Sequence, residues 1–232
     1  MRWLKAEKKI VIKMLNVVIT GGCNGLGGAI VDILHRTDVL LTVIGRQSPS
    51  NKRANDCFVE LDLSEDISGW KYNNFKFVSK VLFISNAGII DPIGSTSEVL
   101  KKDLENNHNV NFYSPFLIAS ELSKKTKSRN IKLHIANISS GAASRALPKW
   151  AAYCSSKAAI KIAYDCLALE NDHVTVEHIN PGVLNTTMQQ KIRNSESGLV
   201  PEERIFSNLR TNGGLLEPQV AAQKIIDKLI GP

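Results

Sequence analysis

The stretch from Leu15 to Leu34 constrains this chain most. Leu15-Asn16-Val17-Val18-Ile19-Thr20 is a short, mostly apolar run rich in β-branched residues and ended by glycine, the pattern of a buried parallel strand. Thr20-Gly21-Gly22-Cys23-Asn24-Gly25-Leu26-Gly27-Gly28 follows, then a helix with Ala29, Ile30, Ile33 and Leu34 on one face. Strand, glycine turn and helix in that order open a dinucleotide-binding fold. Glycines permit the tight turn and let backbone approach a pyrophosphate, whose charge sits near the helix N-terminus. The spacing is TGxxxGxG rather than GxGxxG, and a glycine-rich turn without a ligand is the bland alternative.

The remaining chain alternates strands and helices. Val39 to Ile44 is the second strand, and Gly45-Arg46 leaves it. In such folds this strand end meets the adenosine ribose, where an acid would select the 2′-hydroxyl of NAD. Here no acid is present, Gly45 leaves room, and Arg46 suits a 2′-phosphate, with Ser48 nearby. That favours NADPH; a surface arginine is the alternative. Cys57 to Leu61 is the third strand, ending in Asp62-Leu63. Asp62 can accept from an adenine amino group or cap the following segment. Residues 64–80 hold at most a short helix. Lys80 to Ser85 is the fourth strand, and Asn86-Ala87-Gly88 turns out of it with small residues that suit a close ribose.

Ser97 to Asn107 and Val110 to Lys127 read as two helices, the second broken in phase by Pro115, with Asn111 in its first turns. Ile131 to Ile138 is the fifth strand, followed by Ser139-Ser140-Gly141 and a loop to Trp150. Thr175 to Asn180 is the sixth, ended by Pro181-Gly182-Val183-Leu184-Asn185-Thr186. Residues 187–213 are polar and mixed, as in a mobile lid, and Pro218 to Ile230 is the last helix. The result is an α/β fold, a doubly wound parallel sheet of Rossmann type with helices on both faces. Every motif falls at the carboxyl end of a strand or beside it, the ligand side of such sheets.

Between strands five and six, a helix from about residue 151 to 170 carries Tyr153-Cys154-Ser155-Ser156-Lys157. Residues four apart on a helix share a face. A phenol alone titrates near 10, and a neighbouring ammonium favours its ionised form. Tyr153 beside Lys157 is therefore a candidate general acid or base.

Composition sets the outer bounds. The 232 residues are expected to form one domain over 14–232, behind a basic extension over 1–13 that is poorly ordered or lengthens the first strand. Met14 could serve as an alternative start. The net charge of +7 is spread along the chain without an aromatic or basic stripe, so neither nucleic acid nor a membrane is expected as partner. The four cysteines, Cys23, Cys57, Cys154 and Cys166, have no metal spacing, and a cytoplasmic protein with reduced thiols and no metal is the expectation.

Together these motifs resemble the short-chain dehydrogenase/reductase family from Leu15 onward, and within it the sepiapterin and benzil reductases. The subgroup likeness lies in Trp150-Ala151-Ala152-Tyr153-Cys154, Leu167-Ala168-Leu169-Glu170 and Thr186-Thr187-Met188-Gln189-Gln190, continuing in Gly213 to Leu216 and Ala221 to Lys224. The resemblance implies a catalytic set of Asn111, Ser140, Tyr153 and Lys157, with Ser140 chosen over Ser139 because it lies thirteen residues before the tyrosine. It implies cofactor contacts at Gly21, Cys23, Asn24, Gly25, Leu26 and Gly27, then at Arg46, Asp62 and Leu63. Further contacts fall at Asn86, Ala87 and Gly88, at Tyr153 and Lys157, and at Pro181, Gly182, Leu184 and Thr186.

The implied reaction is reduction of a small ketone, diketone or aldehyde, with NADP(H) preferred over NAD(H). Ser140 and Tyr153 hold the carbonyl oxygen, Tyr153 gives the proton, and Lys157 holds the ribose and lowers the Tyr153 pKa. Asn111 keeps a water behind Lys157. Trp150 and Met188 shape an apolar substrate pocket, or Trp150 is core packing. A homodimer through helices 110–127 and 151–170 is expected. Two departures stand out: the sequence ends at Pro232, without the family's usual seventh strand and the aspartate that anchors pterin there, and Asn185 replaces an acid common in the subgroup. A nucleotide sensor without turnover, or an NAD-dependent alcohol dehydrogenase, is the alternative.

Overall fold

The computed structural model describes residues 14–75, 78–194 and 215–231. Six parallel strands form one sheet: β1 (Met14–Thr20), β2 (Val39–Gly45), β3 (Cys57–Glu60), β4 (Val78–Ser85), β5 (Lys132–Ile138) and β6 (Val174–Ile179), in the order β3-β2-β1-β4-β5-β6. The order reverses between β1 and β4, which leaves a crevice at their carboxyl ends. Pairing of Ile19 with both Val43 and Ile84 sets the register that brings Thr20, Ser85 and Gly45 to one edge.

The helices are α1 (Gly25–Leu34), α2 (Lys101–His108), α3 (Ser114–Lys127), α4 (Ala151–Leu169), α5 (Thr187–Asn194) and α6 (Pro218–Ile230). They cover both sheet faces. On one face, Val17 and Ile19 pack with Ile30 and Leu34 of α1 and Ala222 and Ile226 of α6. On the other, Val18 and Phe83 pack with Ile118 and Leu122 of α3 and Ile160 and Tyr164 of α4. Buried strands flanked on two sides read as continuous apolar runs, which is why β1, β2 and β4 were legible.

Strand ends differ from the sequence expectation by up to two residues, with β4 starting at Val78 and β6 shifted to Val174–Ile179. The helix expected from Ser97 starts at Lys101. Ser95 and Ser97 bond each other in a turn, and Leu100 is extended (φ −88°, ψ 151°), so the helical run cannot begin earlier. The break expected between Asn107 and Val110 is absent. The chain passes from α2 to α3 through one π-helical turn, Asn109–Tyr113. Pro115 has no N–H for the helix ladder, and the chain widens ahead of it instead of stopping. Of the segment expected as a mobile lid, 187–194 is α5 and 195–213 lies outside the described residues, as does the extension over 1–13.

Candidate active site

The glycine turn is built for a close neighbour. Gly21 and Gly25 have positive φ (69° and 53°). A Cβ on Gly27 would overlap the Gly21 carbonyl oxygen, and one on Gly25 would meet Thr186 at 3.4 Å. Asn24 is extended ahead of α1, so the first N–H groups of that helix face the turn. Backbone this tightly coiled at a helix N-terminus fits the pyrophosphate of a dinucleotide. The turn is pinned to β4: Thr20 Oγ1 accepts from the backbone N–H of Asn86 and Ala87, both at 3.1 Å, and Asn86 Nδ2 donates to the carbonyls of Thr20 and Gly21. Asn86 thus shapes the floor of the crevice.

At the β2 end, space beside Gly45 is open, and Arg46 stands there near Asp62. Asp62 Oδ1 accepts from Ser64 N at 2.9 Å and Ser64 Oγ at 2.7 Å, which closes a turn after β3, and no helix begins there among the described residues for it to cap. These bonds, helped by Arg46, hold its carboxyl below the usual range.

On the other side of the crevice, α4 presents Tyr153 and Lys157. The Lys157 Nζ lies 5.9 Å from the Tyr153 ring centroid and donates to Ile138 O at 3.0 Å. Tyr153 shares a hydrogen bond with Ser140, whose Oγ accepts from Ala142 N at 3.2 Å. Ser139, by contrast, spends its backbone N–H on Ile179 O at 2.8 Å and serves the strand end. Burial lowers Lys157 from 10.5 to about 8. Burial likewise raises Tyr153 above 10, against the lowering effect of Ser140. The expected depression of Tyr153 by Lys157 is not seen in this state; desolvation of the phenol dominates, and the lowering contribution comes from Ser140.

Asn111 stands behind the wall of the cleft. In the π turn, its Oδ1 accepts from Ile89 N (2.9 Å) and its Nδ2 donates to Ile89 O (2.8 Å), Asn107 Oδ1 (2.9 Å) and Ser156 Oγ (3.1 Å). A Cβ at Gly88 would come within 3.2 Å of Asn111 Oδ1 and 3.7 Å of Lys157 Nζ. Gly88 therefore lets the amide lie close to the lysine. Asn107 and Ser156 were not anticipated, because a helical asparagine and a serine inside YxxxK carry no signal of their own.

All the other anticipated residues border one cleft of about 870 Å³: the glycine turn, Arg46, Asp62 and Leu63, Asn86 to Gly88, Ser140, Tyr153, Lys157, and Pro181, Gly182, Leu184 and Thr186. Its far end is apolar. Trp150 is buried, stands edge-on to Tyr153 (centroids 6.1 Å apart) and clusters with Ile90, Met188 and Ile192, so it both packs and lines the cleft. Three features were missed: Ile90, Ile192, and a 2.8 Å ion pair between Lys191 of α5 and Asp91 of the loop after β4. All join segments far apart in sequence. Among the described residues no group of side chains could hold a metal ion, and no helix is long and apolar enough to cross a membrane.

Residues 15–197 match the family model for short chain dehydrogenases. A benzil reductase ((S)-benzoin forming) of Bacillus cereus is 29% identical over 233 residues, covering 91% of this chain and 92% of that protein. A sepiapterin reductase of Xenopus tropicalis is 32% identical over 157 residues, covering 65% of this chain and 58% of that protein. The crystal structure of a short-chain dehydrogenase/reductase from Saccharomyces cerevisiae has the same fold, with a TM-score of 0.76 at 24% identity over 88% of this chain and 85% of that one.

Proposed function

From the short-chain dehydrogenase family, to which this chain belongs, we propose that it reduces a small ketone, diketone or aldehyde with NADPH, Tyr153 acting as general acid. The observation that carries the reading is the hydrogen-bonded pair of Ser140 and Tyr153, with Lys157 beside it, at the junction of a glycine cradle and an apolar pocket. The likeness to benzil reductases along nearly the whole chain supports the same substrate class.

The chain's residues divide the work. The Gly21–Gly27 turn would hold the pyrophosphate, Arg46 the 2′-phosphate, and Lys157 the ribose hydroxyls. A reduced nicotinamide held there would supply the hydride. Ser140, whose Oγ already accepts from Ala142, has its own proton to offer a carbonyl oxygen. Tyr153 shares that oxygen and gives up the proton that completes the alcohol. The raised pKa of Tyr153 suits this direction, because the phenol stays protonated and ready to donate. Trp150, Met188 and Ile192 keep water from the apolar side.

A homodimer through α3 and α4 accompanies this reading, since Tyr113 beside α3, Leu117 on it and Ile162 on α4 are exposed apolar residues on those helices. The test is NADPH consumption by the purified protein against benzil, sepiapterin and an aromatic aldehyde, with NADH in parallel. Turnover of diketone or aldehyde with NADPH supports the reading. Tight NADPH binding without turnover of any carbonyl points to a nucleotide-sensing protein, and equal use of NADH removes the role given to Arg46.

A further inference from the structure

The turn after β3 is held from outside. Between Glu60 and Val78 the described residues form neither helix nor strand, yet Asp62, Leu63 and Ser64 border the cleft. Two side chains at the junction of α2 and α3 grip this piece by its carbonyls. Asn109 Nδ2 donates to Ser64 O at 2.7 Å, and Ser114 Oγ donates to Leu63 O at 2.7 Å. Ser64 in turn donates from its N and its Oγ to Oδ1 of Asp62. Oδ2 takes no bond from the described residues, so the carboxylate has one oxygen engaged and one to offer. Asn111, two residues on in the same π turn, holds the backbone of Ile89 after β4. One helical turn thus braces the loops after β3 and β4, whose strands have β2 and β1 between them.

Resting on the dinucleotide part of the proposed function, we infer that Asn109 is a positioning residue for base recognition: through Ser64 it sets Asp62 to accept from the amino group of the cofactor's adenine. An amide suits this work, because it anchors a carbonyl without placing a charge near Asp62. Asn109 is half-buried, and other ties keep the turn in place without it: Leu63 is buried in the core, and Glu65 N donates to Asp62 O at 3.2 Å. What Asn109 adds is the exact placement of Ser64, and with it the direction of the carboxylate. A hydrogen bond weakens steeply as its angle strays, and one to an ionised acceptor has the most to lose. A base with a ring carbonyl where adenine has its amino group gives Asp62 no donor there, so the site discriminates against it.

The test measures Kd by fluorescence titration for NADPH and for its hypoxanthine analogue, which carries that ring carbonyl and is otherwise the same molecule. Wild type should bind NADPH about tenfold tighter or more, the worth of one charge-assisted hydrogen bond. Asn109→Ala should cut this preference about fivefold, by weakening NADPH while leaving the analogue nearly unchanged. Ser64→Ala keeps the carbonyl that Asn109 grips and removes one of the two bonds to Asp62 Oδ1; it should lower the preference as well. An equal loss for both dinucleotides in Asn109→Ala marks a general loosening of the cleft and overturns the assignment. So does a preference unchanged from wild type in that variant, and a full preference in Ser64→Ala removes the route through Ser64. Should wild type bind NADH and not NADPH, the same comparison is made with NADH and its hypoxanthine analogue. Binding of neither nucleotide by wild type overturns the dinucleotide reading and this assignment with it. Tight binding with no preference for adenine overturns the assignment alone.

Discussion

Replacing Lys157 by methionine should make the ligand-free protein more stable and the cofactor-saturated protein less so. Lys157 is fully buried, and its pKa falls from 10.5 to about 8. At neutral pH the charged form is therefore held at a cost of about 3 kcal/mol, since each tenfold change in acidity is worth about 1.4 kcal/mol. Its hydrogen bond to Ile138 O returns about 1 kcal/mol of that. Methionine fills a similar volume without the charge, so the net gain should be about 2 kcal/mol. In a chain of this size that raises Tm by roughly 4–8 °C. The pH dependence offers a second check. The unfolded lysine binds its proton up to about 10.5 and the folded one only up to about 8. Wild-type stability from this group therefore rises with pH between those values. The advantage of the variant should be full below pH 8 and gone near 10.5. NADPH at about 100 times its Kd should add about 2.7 kcal/mol to wild type, and much less to a variant that has lost its ribose ligand. Urea unfolding at pH 7 and thermal melts across that pH range, with and without NADPH, measure all of this. A ligand-free variant that unfolds before wild type at pH 7 would refute the reasoning.

The remaining expectations are narrower. Tyr153→Phe should lower turnover by roughly 10²–10⁴ while leaving the NADPH Kd nearly unchanged, read by steady-state kinetics and fluorescence titration; retained turnover rules out the proton-donor role. Arg46→Ala should weaken NADPH by about tenfold or more, the worth of a charge-assisted contact, and leave NADH alone; equal weakening of both removes Arg46 from the 2′-phosphate. Thr20→Val leaves the N–H groups of Asn86 and Ala87 without their acceptor and should cost about 2 kcal/mol in urea unfolding; a neutral result would mean the glycine turn is not held through Thr20.

The strand–turn–helix opening, the succession of six strands along the chain and the pairing of Tyr153 with Lys157 were legible because each is a local pattern whose meaning does not depend on a distant partner. A parallel strand buried on both faces announces itself as an apolar run, and residues four apart on a helix share a face wherever the helix lies. The start of α2 was not legible, since it turns on a bond between two loop serines. Nor was the packing of Asn111, which is held by Asn107, Ser156 and the backbone of Ile89, three separate pieces of chain. The apolar cluster over the cleft joins Ile90, Trp150 and Ile192 in the same non-local way.

The direction in which Tyr153 moves shows most clearly what a local pattern leaves out. Adjacency of a phenol and an ammonium, which YxxxK does reveal, predicts a lowered phenol. Depth of burial, which YxxxK does not reveal, raises it and lowers the lysine together. Both effects press the pair toward its uncharged state, so the ligand-free site stores its cost in Lys157 and keeps its proton on Tyr153. A negatively charged cofactor beside Lys157 would reverse the change at the lysine by favouring the ammonium. Lys157, already mostly protonated at neutral pH, would then hold its charge at a smaller cost, while the neutral Tyr153 keeps the proton it donates.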